Sequence, residues 1–270
     1  MTPANWAFSI WAAIYTLEIA YVVTSYFKAF RSSLLNPASV AKTFILTNVL
    51  SAVWTLVFSL DKQALAFIAI ASILVTLLVI VSKQLKIIMA TSSDVKIFEF
   101  VFLALPFQMH AGWLVSATNV NLSVLLTSLS PNDASALNTL DGFSLLTTDN
   151  ATMQVSLAVL SIAIIIFSCL YSIFVVKPIP AYTIALVGAW TFLGIADKLS
   201  SPPADIKTTF DSMTLSGLQG AAQVGGYGVL AAVVLKIAWG FVISRCARSL
   251  APRNSSQGRI RQPSHAVSMV

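Results

Sequence analysis

Residues 63–82 read QALAFIAIASILVTLLVIVS, twenty positions without one charged side chain. At 1.5 Å per residue such a helix is ~30 Å long, which matches the ~30 Å hydrocarbon core of a bilayer. A lipid-embedded strand would alternate polar and apolar side chains. This run is continuously apolar, so it predicts a transmembrane helix. Charge-free stretches of the same kind lie on both sides of it, at 43–60, 100–132, 150–176, 178–196 and 212–235. The whole chain of 270 residues is 57% apolar and only 10% charged, whereas an average globular protein carries about 25% charged residues. That balance excludes a soluble enzyme, a disordered chain and a disulfide scaffold, and the unbroken apolar runs exclude a β-barrel.

Seven helices follow, at about 6–27, 43–60, 64–88, 98–128, 153–176, 180–197 and 217–244. The predicted fold class is an all-α, polytopic membrane helix bundle. Between them lie a polar segment at 129–152, with Asp133, Asp141 and Asp149 and no basic residue, and a second at 198–216. The tail 246–270 is rich in Arg, Ser and Pro with few large apolar residues, and is expected to be disordered and to lie against an anionic leaflet. That tail accounts for much of the +6 net charge; no nucleic-acid partner is implied.

Basic residues set the expected orientation. With the N-terminus outside, the cytoplasmic segments hold Lys28, Arg31, Lys42, Lys83, Lys86, Lys96, Lys177 and the five arginines from Arg245 onward, twelve of the 16. The opposite side holds only Lys62, Lys198 and Lys207, and Lys236 lies within the last helix. Positive-inside asymmetry of this kind predicts a non-cytoplasmic N-terminus and a cytoplasmic C-terminus. No secretory signal peptide is read at the N-terminus. Cys169 and Cys246 are expected as free thiols, the juxtamembrane Cys246 being a palmitoylation candidate. Of the sequons, only Asn150 faces the non-cytoplasmic side outside a span, and it stands too close to the fifth helix for glycosylation.

No nucleotide-binding loop, zinc-protease helix, C-x-x-C or nucleophile elbow occurs, and with two histidines no metal cluster can be assembled. The expectation is a non-enzymatic protein with no cofactor. What remains are ionisable groups within spans, which are costly in lipid and default to functional hypotheses: Glu18, His110 and Lys236. Trp11, Tyr15, Glu18 and Val22 stand at i, i+4, i+7 and i+11 on one face of the first helix. Pro106, His110, Trp113, Ala117 and Asn121 share a face of the fourth. Glu18 is ~17 Å from Ala7 near the outer end, and His110 lies at a similar depth. These faces predict a polar and aromatic cavity between helices one and four. The bland alternative is a Glu18–His110 pair in a packed interior. Lys236 is expected to snorkel toward cytoplasmic headgroups. The seventh-helix lysine also suits a retinal protein, but helix 64–88 offers no carboxylate counter-ion. Gly217, Ala221 and Gly225 follow a small-xxx-small rhythm that permits close helix packing and homodimerisation.

Two segments are familiar. Thr2-Pro3-Ala4-Asn5-Trp6-Ala7-Phe8-Ser9-Ile10-Trp11, with Ile14-Tyr15, resembles the tryptophan-rich sensory protein and translocator protein (TspO/MBR) family. So does Leu105-Pro106-Phe107 with Gly112-Trp113, Ala117-Thr118 and Asn121. Trp54 and Phe58 stand where that family has an Asn-x-x-Trp helix, with Ser51 in the Asn place. The resemblance covers about residues 2–128, which makes 1–128 a translocator-like core and 153–245 an additional three-helix segment like that of larger relatives. Compact members have five helices, the first ahead of the Pro-x-x-Trp segment, so either that leading helix is missing here or the gene model is truncated. The tryptophan spacings also differ from theirs. The resemblance implies binding of planar or sterol-like apolar ligands, tetrapyrroles included, with pocket positions carried over to Trp6, Trp11, Trp54, Trp113, Ala117 and Asn121. Trp6 is equally explained as an interfacial anchor, and Val23-x-x-Tyr26-x-Lys28 is a weak cholesterol-type pattern. The expected site therefore comprises Trp6, Trp11, Tyr15, Glu18, Trp54, His110, Trp113, Ala117 and Asn121. The expected partners are membrane lipids and one small apolar ligand. A secondary transporter with Glu18 and His110 as proton-coupling groups and a retinal photoreceptor through Lys236 are the rival readings.

Overall fold

The computed structural model describes residues 2–31, 33–90, 96–128, 150–175 and 181–250. Most of the 129–152 segment and the tail from residue 251 lie outside the described residues. Within them the chain is helical throughout. A 3-10 turn, Asn5–Ser9, leads into α1, Ile10–Ser25. Then come α2, Ala38–Ser59, and α3, Gln63–Ala90. The fourth helix begins as Ile97–Glu99, widens into a π-helical stretch, Phe100–Ala104, and continues as α4, Leu105–Ser128. Next are α5, Asn150–Leu170, ending in a second π-helical stretch, Tyr171–Val175, and α6, Tyr182–Ser200. The last is α7, Ser212–Leu250. Each predicted span has its helix, with ends displaced by a few residues.

Local chemistry explains the joints. Pro37 holds an extended backbone immediately before α2. Asp61 adopts φ 53° in the tight turn between α2 and α3, a left-handed conformation that Asp tolerates better than bulkier residues. The turn is closed by the Lys62 N–H donating to the Val57 carbonyl at 3.0 Å. The wide Phe100–Ala104 stretch falls just ahead of Pro106, which has no N–H to give and whose ring would crowd a regular preceding turn. Asp211 opens α7 by accepting from the Thr214 N–H at 2.8 Å and the Thr214 hydroxyl at 2.7 Å. Those bonds hold its carboxyl below the usual carboxylate range.

Two apolar clusters build the bundle. One joins α1 to α4 around Ile14, Leu77, Ile80, Leu103 and Phe107. Inside it Gln84 donates to the Leu35 carbonyl at 3.1 Å and the Leu103 carbonyl at 2.6 Å, tying α3 to the loop before α2 and to the start of the fourth helix. The other joins α5, α6 and α7 around Ile165, Ile173, Ala189, Phe192 and Ala222. Helix α6 touches both, since Val187 belongs to the first cluster and Phe192 to the second. Gly112 lets it come close: a Cβ there would stand 3.0 Å from the Val187 Cβ and 3.1 Å from the Ile184 Cα.

Among the described residues six helices are long and apolar enough to cross a membrane, against the seven expected. The exception is α6, which carries Asp197 and Lys198 in its last turn. It is packed on protein along one side, with Ala185, Gly188, Thr191, Phe192, Ile195 and Leu199 all buried, while Leu186 and Trp190 are exposed. The architecture is an all-α polytopic helix bundle. Contacts divide the chain at residue 234. The second unit, Leu235–Val270, contains Lys236 and the closing turns of α7. Of the small-residue stripe, Gly225 sits against the Phe192 ring, whereas nothing lies within 4 Å of the position a Gly217 Cβ would take.

Candidate functional site

A cavity of about 310 Å³ is enclosed by the N-terminal segment, α1, α2, α3 and α4. Helical spacing places its walls. Trp11 and Tyr15, one turn apart on α1, stack with ring centroids 5.2 Å apart and planes 17° off parallel. His110, Trp113, Ala117 and Asn121 come from one face of α4, and Trp54 and Phe58 from α2. Trp11 is the hub, meeting Trp113 edge-to-face at 6.2 Å and the His110 ring at 5.4 Å. Across the cavity the Trp54 indole N–H donates to the Asn121 side-chain oxygen at 3.1 Å. Asn121 in turn donates to the Ala117 carbonyl at 3.0 Å, so both its polar ends are fixed. Ala117 keeps open the space beside Trp113. The Trp113 indole N–H is buried with no hydrogen-bond partner.

Glu18 is not a wall. It stands behind His110, with its Oε1 2.7 Å from the imidazole Nδ1. Both residues are buried, Glu18 5% and His110 4% exposed. Helices α1 and α4 are thus joined by a hydrogen bond between these two side chains. At such burial a hydrogen-bonded pair is strong, and either group left alone is costly. The carboxylate also fixes the plane and rotation of the ring that borders the cavity. Packed pair and cavity wall turn out to be one arrangement.

Of the nine expected site residues, seven border this cavity and Glu18 touches it through His110. Trp6 is the one that is elsewhere. Its indole N–H donates to Asp197 of α6 at 2.8 Å, and its ring meets Trp190 edge-to-face at 4.8 Å. Helical spacing explains the difference. Five residues before Trp11, Trp6 stands ~140° around the helix from the stripe that Trp11 and Tyr15 occupy.

That position reveals a feature the sequence reading passed over. Residues 2–9 lie across one side of the cavity, with Thr2, Pro3 and Phe8 in its wall. They are strapped to α6 by the Ala4 N–H donating to the Gly194 carbonyl at 2.8 Å and the Trp190 indole N–H donating to the Ala7 carbonyl at 2.9 Å. Trp190, Gly194 and Asp197 stand at i, i+4 and i+7. The same helical-face argument that located His110 and Trp113 would have found this dock.

The apolar helices make this a polytopic membrane protein, with an aromatic cavity between its first four long helices. The model of the TSPO-like protein family matches residues 1–224, and the chain belongs to that family. It is an integral, multi-pass membrane protein. The match runs well past residue 128, so α5, α6 and the first part of α7 fall within the family's extent and not beyond it. No curated protein and no solved structure matches the chain.

Proposed function

We propose that this protein binds a planar or sterol-like apolar ligand, tetrapyrroles among them, in the cavity between α1, α2 and α4, and that it is not an enzyme. The observation that carries the reading is the lining. Trp11, Tyr15, Trp54, Phe58 and Trp113 supply broad aromatic faces around about 310 Å³, with His110 and Asn121 as convergent polar groups. Small-molecule sites are typically ~300–1,000 Å³, mostly apolar, with a few placed polar groups. Stacking on tryptophan suits a flat conjugated molecule. Titrating protoporphyrin into protein in lipid nanodiscs, read as tryptophan-fluorescence quenching, tests it. Saturable 1:1 quenching that Trp113→Ala weakens several-fold is expected, and equal affinity in that variant overturns the reading.

The membrane orientation belongs to the same proposal: N-terminus non-cytoplasmic, C-terminus cytoplasmic, with α6 counted as the seventh crossing. Cysteine-accessibility scanning in intact membranes checks it, because residues 140 and 255 are then labelled from opposite sides. The buried Glu18–His110 pair beside the cavity favours one second reading, a proton-coupled secondary transporter. Counterflow of porphyrin in proteoliposomes, abolished by Glu18→Gln, would select transport over binding alone.

A further inference from the structure

Helix α4 has a second cavity on its reverse face. It measures about 460 Å³ and shares no residue with the first. Its wall on α3 runs from Phe67 through Leu74 to Leu85, and Phe167 and Tyr171 of the fifth helix flank it. From α4 comes Thr118, whose hydroxyl is buried without a hydrogen-bond partner. That is unusual here. Thr47, Thr55 and Thr191 each donate to the carbonyl one turn back, the ordinary resort of a helical threonine. The Thr118 hydroxyl is thus left without a partner in the wall of this cavity.

Depth and length identify what would satisfy it. The Gln84 bond to the Leu103 carbonyl, and the shared first cavity of Ile70 and Ile73 with Ala117 and Leu114, set α3 and α4 antiparallel. In that register Thr118 lies level with about residue 69, ~9 Å from the start of α3 at Gln63. Centred on a ~30 Å hydrocarbon core, with Lys83 and Lys86 reaching out to the headgroups, the 28 residues of α3 extend ~42 Å and overshoot it by ~6 Å at each end. Thr118 therefore stands a few ångströms inside one boundary of the hydrocarbon. From its level the apolar wall continues ~24 Å to Leu85. Phe167 and Tyr171 at the rim are 68% and 50% exposed on a membrane-spanning segment, so the cavity opens sideways to lipid and not to water.

We propose that this slot holds one acyl chain of a membrane glycerolipid, with the Thr118 hydroxyl donating to the lipid's ester carbonyl. An ester carbonyl sits where the hydrocarbon begins, and a flexible chain fills a long slot that a shorter rigid fused-ring molecule would leave part empty. The site is separate from the aromatic cavity and does not depend on what that cavity binds.

The test uses the full chain reconstituted in phosphatidylcholine vesicles containing a phosphatidylcholine with a diazirine on one acyl chain. After photolysis, adducts are mapped by mass spectrometry. Adducts at Leu74, Leu78, Phe167 and Tyr171 are expected to exceed those on the exposed α2 face, at Ile45, Val49 and Leu56, by several-fold. Thr118→Val keeps the side-chain shape without the hydroxyl and should lower the slot adducts several-fold. Val115→Trp fills the slot and should abolish the excess. Both should leave the α2 adducts unchanged, which also reports a folded, inserted protein. Equal labelling of slot and α2 face in the wild type overturns the proposal, as does indifference to Thr118→Val. Loss of slot adducts on adding equimolar cholesterol would assign the slot to a sterol and equally overturn it.

Discussion

Gly194→Ala probes the strap that covers the aromatic cavity. A Cβ added to Gly194 would stand 2.7 Å from the Ala7 Cβ and 3.0 Å from the Pro3 Cβ, whereas carbon atoms settle at ~3.5–4.0 Å. Neither neighbour can rotate its Cβ away, so residues 3–7 must lift by roughly 1 Å. Lifting stretches the Ala4–Gly194 backbone bond, now 2.8 Å, and disturbs the indole bonds of Trp6 and Trp190. Overpacking costs about 1–3 kcal/mol, and the weakened hydrogen bond about 0.5–1.5 kcal/mol. Replacing a helical glycine by alanine returns up to about 1 kcal/mol. The net penalty on the closed strap is about 1–3 kcal/mol. Since 1.4 kcal/mol is tenfold, the lifted population should rise about 5- to 100-fold. If a bound porphyrin leaves past the strap, its dissociation rate, followed by stopped-flow recovery of tryptophan fluorescence, should rise by a comparable factor. Gly220→Ala is the control, because nothing lies within 4 Å of its added Cβ, and it should leave the rate unchanged. An unaltered dissociation rate in Gly194→Ala, with the protein folded, would refute the strap as the barrier.

Other perturbations test the remaining parts. Glu18→Ala strands a buried imidazole and should destabilise the bundle by about 3–5 kcal/mol; Glu18→Gln, which can still hydrogen-bond, should cost distinctly less, and equal melting temperatures for the two would count against the pair. Gly188→Ala drives a methyl into the Cys169 sulfur and should cost about 1–3 kcal/mol of overpacking; adding Cys169→Ala removes the obstacle and should restore most of it in a double-mutant cycle. Asp211 is held below the ordinary carboxylate range by the Thr214 N–H and hydroxyl, so its contribution to the start of α7 is present above that range and is lost as pH falls through the lowered value. Amide exchange at residues 212–216 should accelerate at acid pH in the wild type and show no such step in Asp211→Asn.

The fold was readable because lipid imposes few choices. An apolar run such as 63–82 can only be a helix of bilayer length, and each such run has its helix. The aromatic cavity was readable for a related reason. The i, i+4 and i+7 rule fixes which side chains share a face, so Trp11 with Tyr15, and His110 with Trp113 and Ala117, could be grouped before any contact was known. Two things escaped. Trp6 was placed at the pocket only by the family resemblance; five residues before Trp11 it stands ~140° away around a helix, and it faces α6 instead. The second cavity escaped because nothing in residues 63–90 or 150–175 taken singly marks a void. Only the mutual placement of α3, α4 and α5 leaves Thr118 without an acceptor.

Helix α6 brings these points together. Among the described residues it is the long helix whose composition alone does not require a membrane, and it gives buried residues to both apolar clusters. Its two glycines belong to that packed side. Gly188 admits the Cys169 side, Gly194 admits the N-terminal strap, and Asp197 receives the Trp6 indole. Asp197 is exposed at the end of this helix, where it accepts from the Trp6 indole N–H. The three-helix segment that follows α4 therefore does more than enlarge the bundle. It supplies the dock that holds residues 2–9 against the aromatic cavity, through the Trp190 indole and the Gly194 carbonyl of α6.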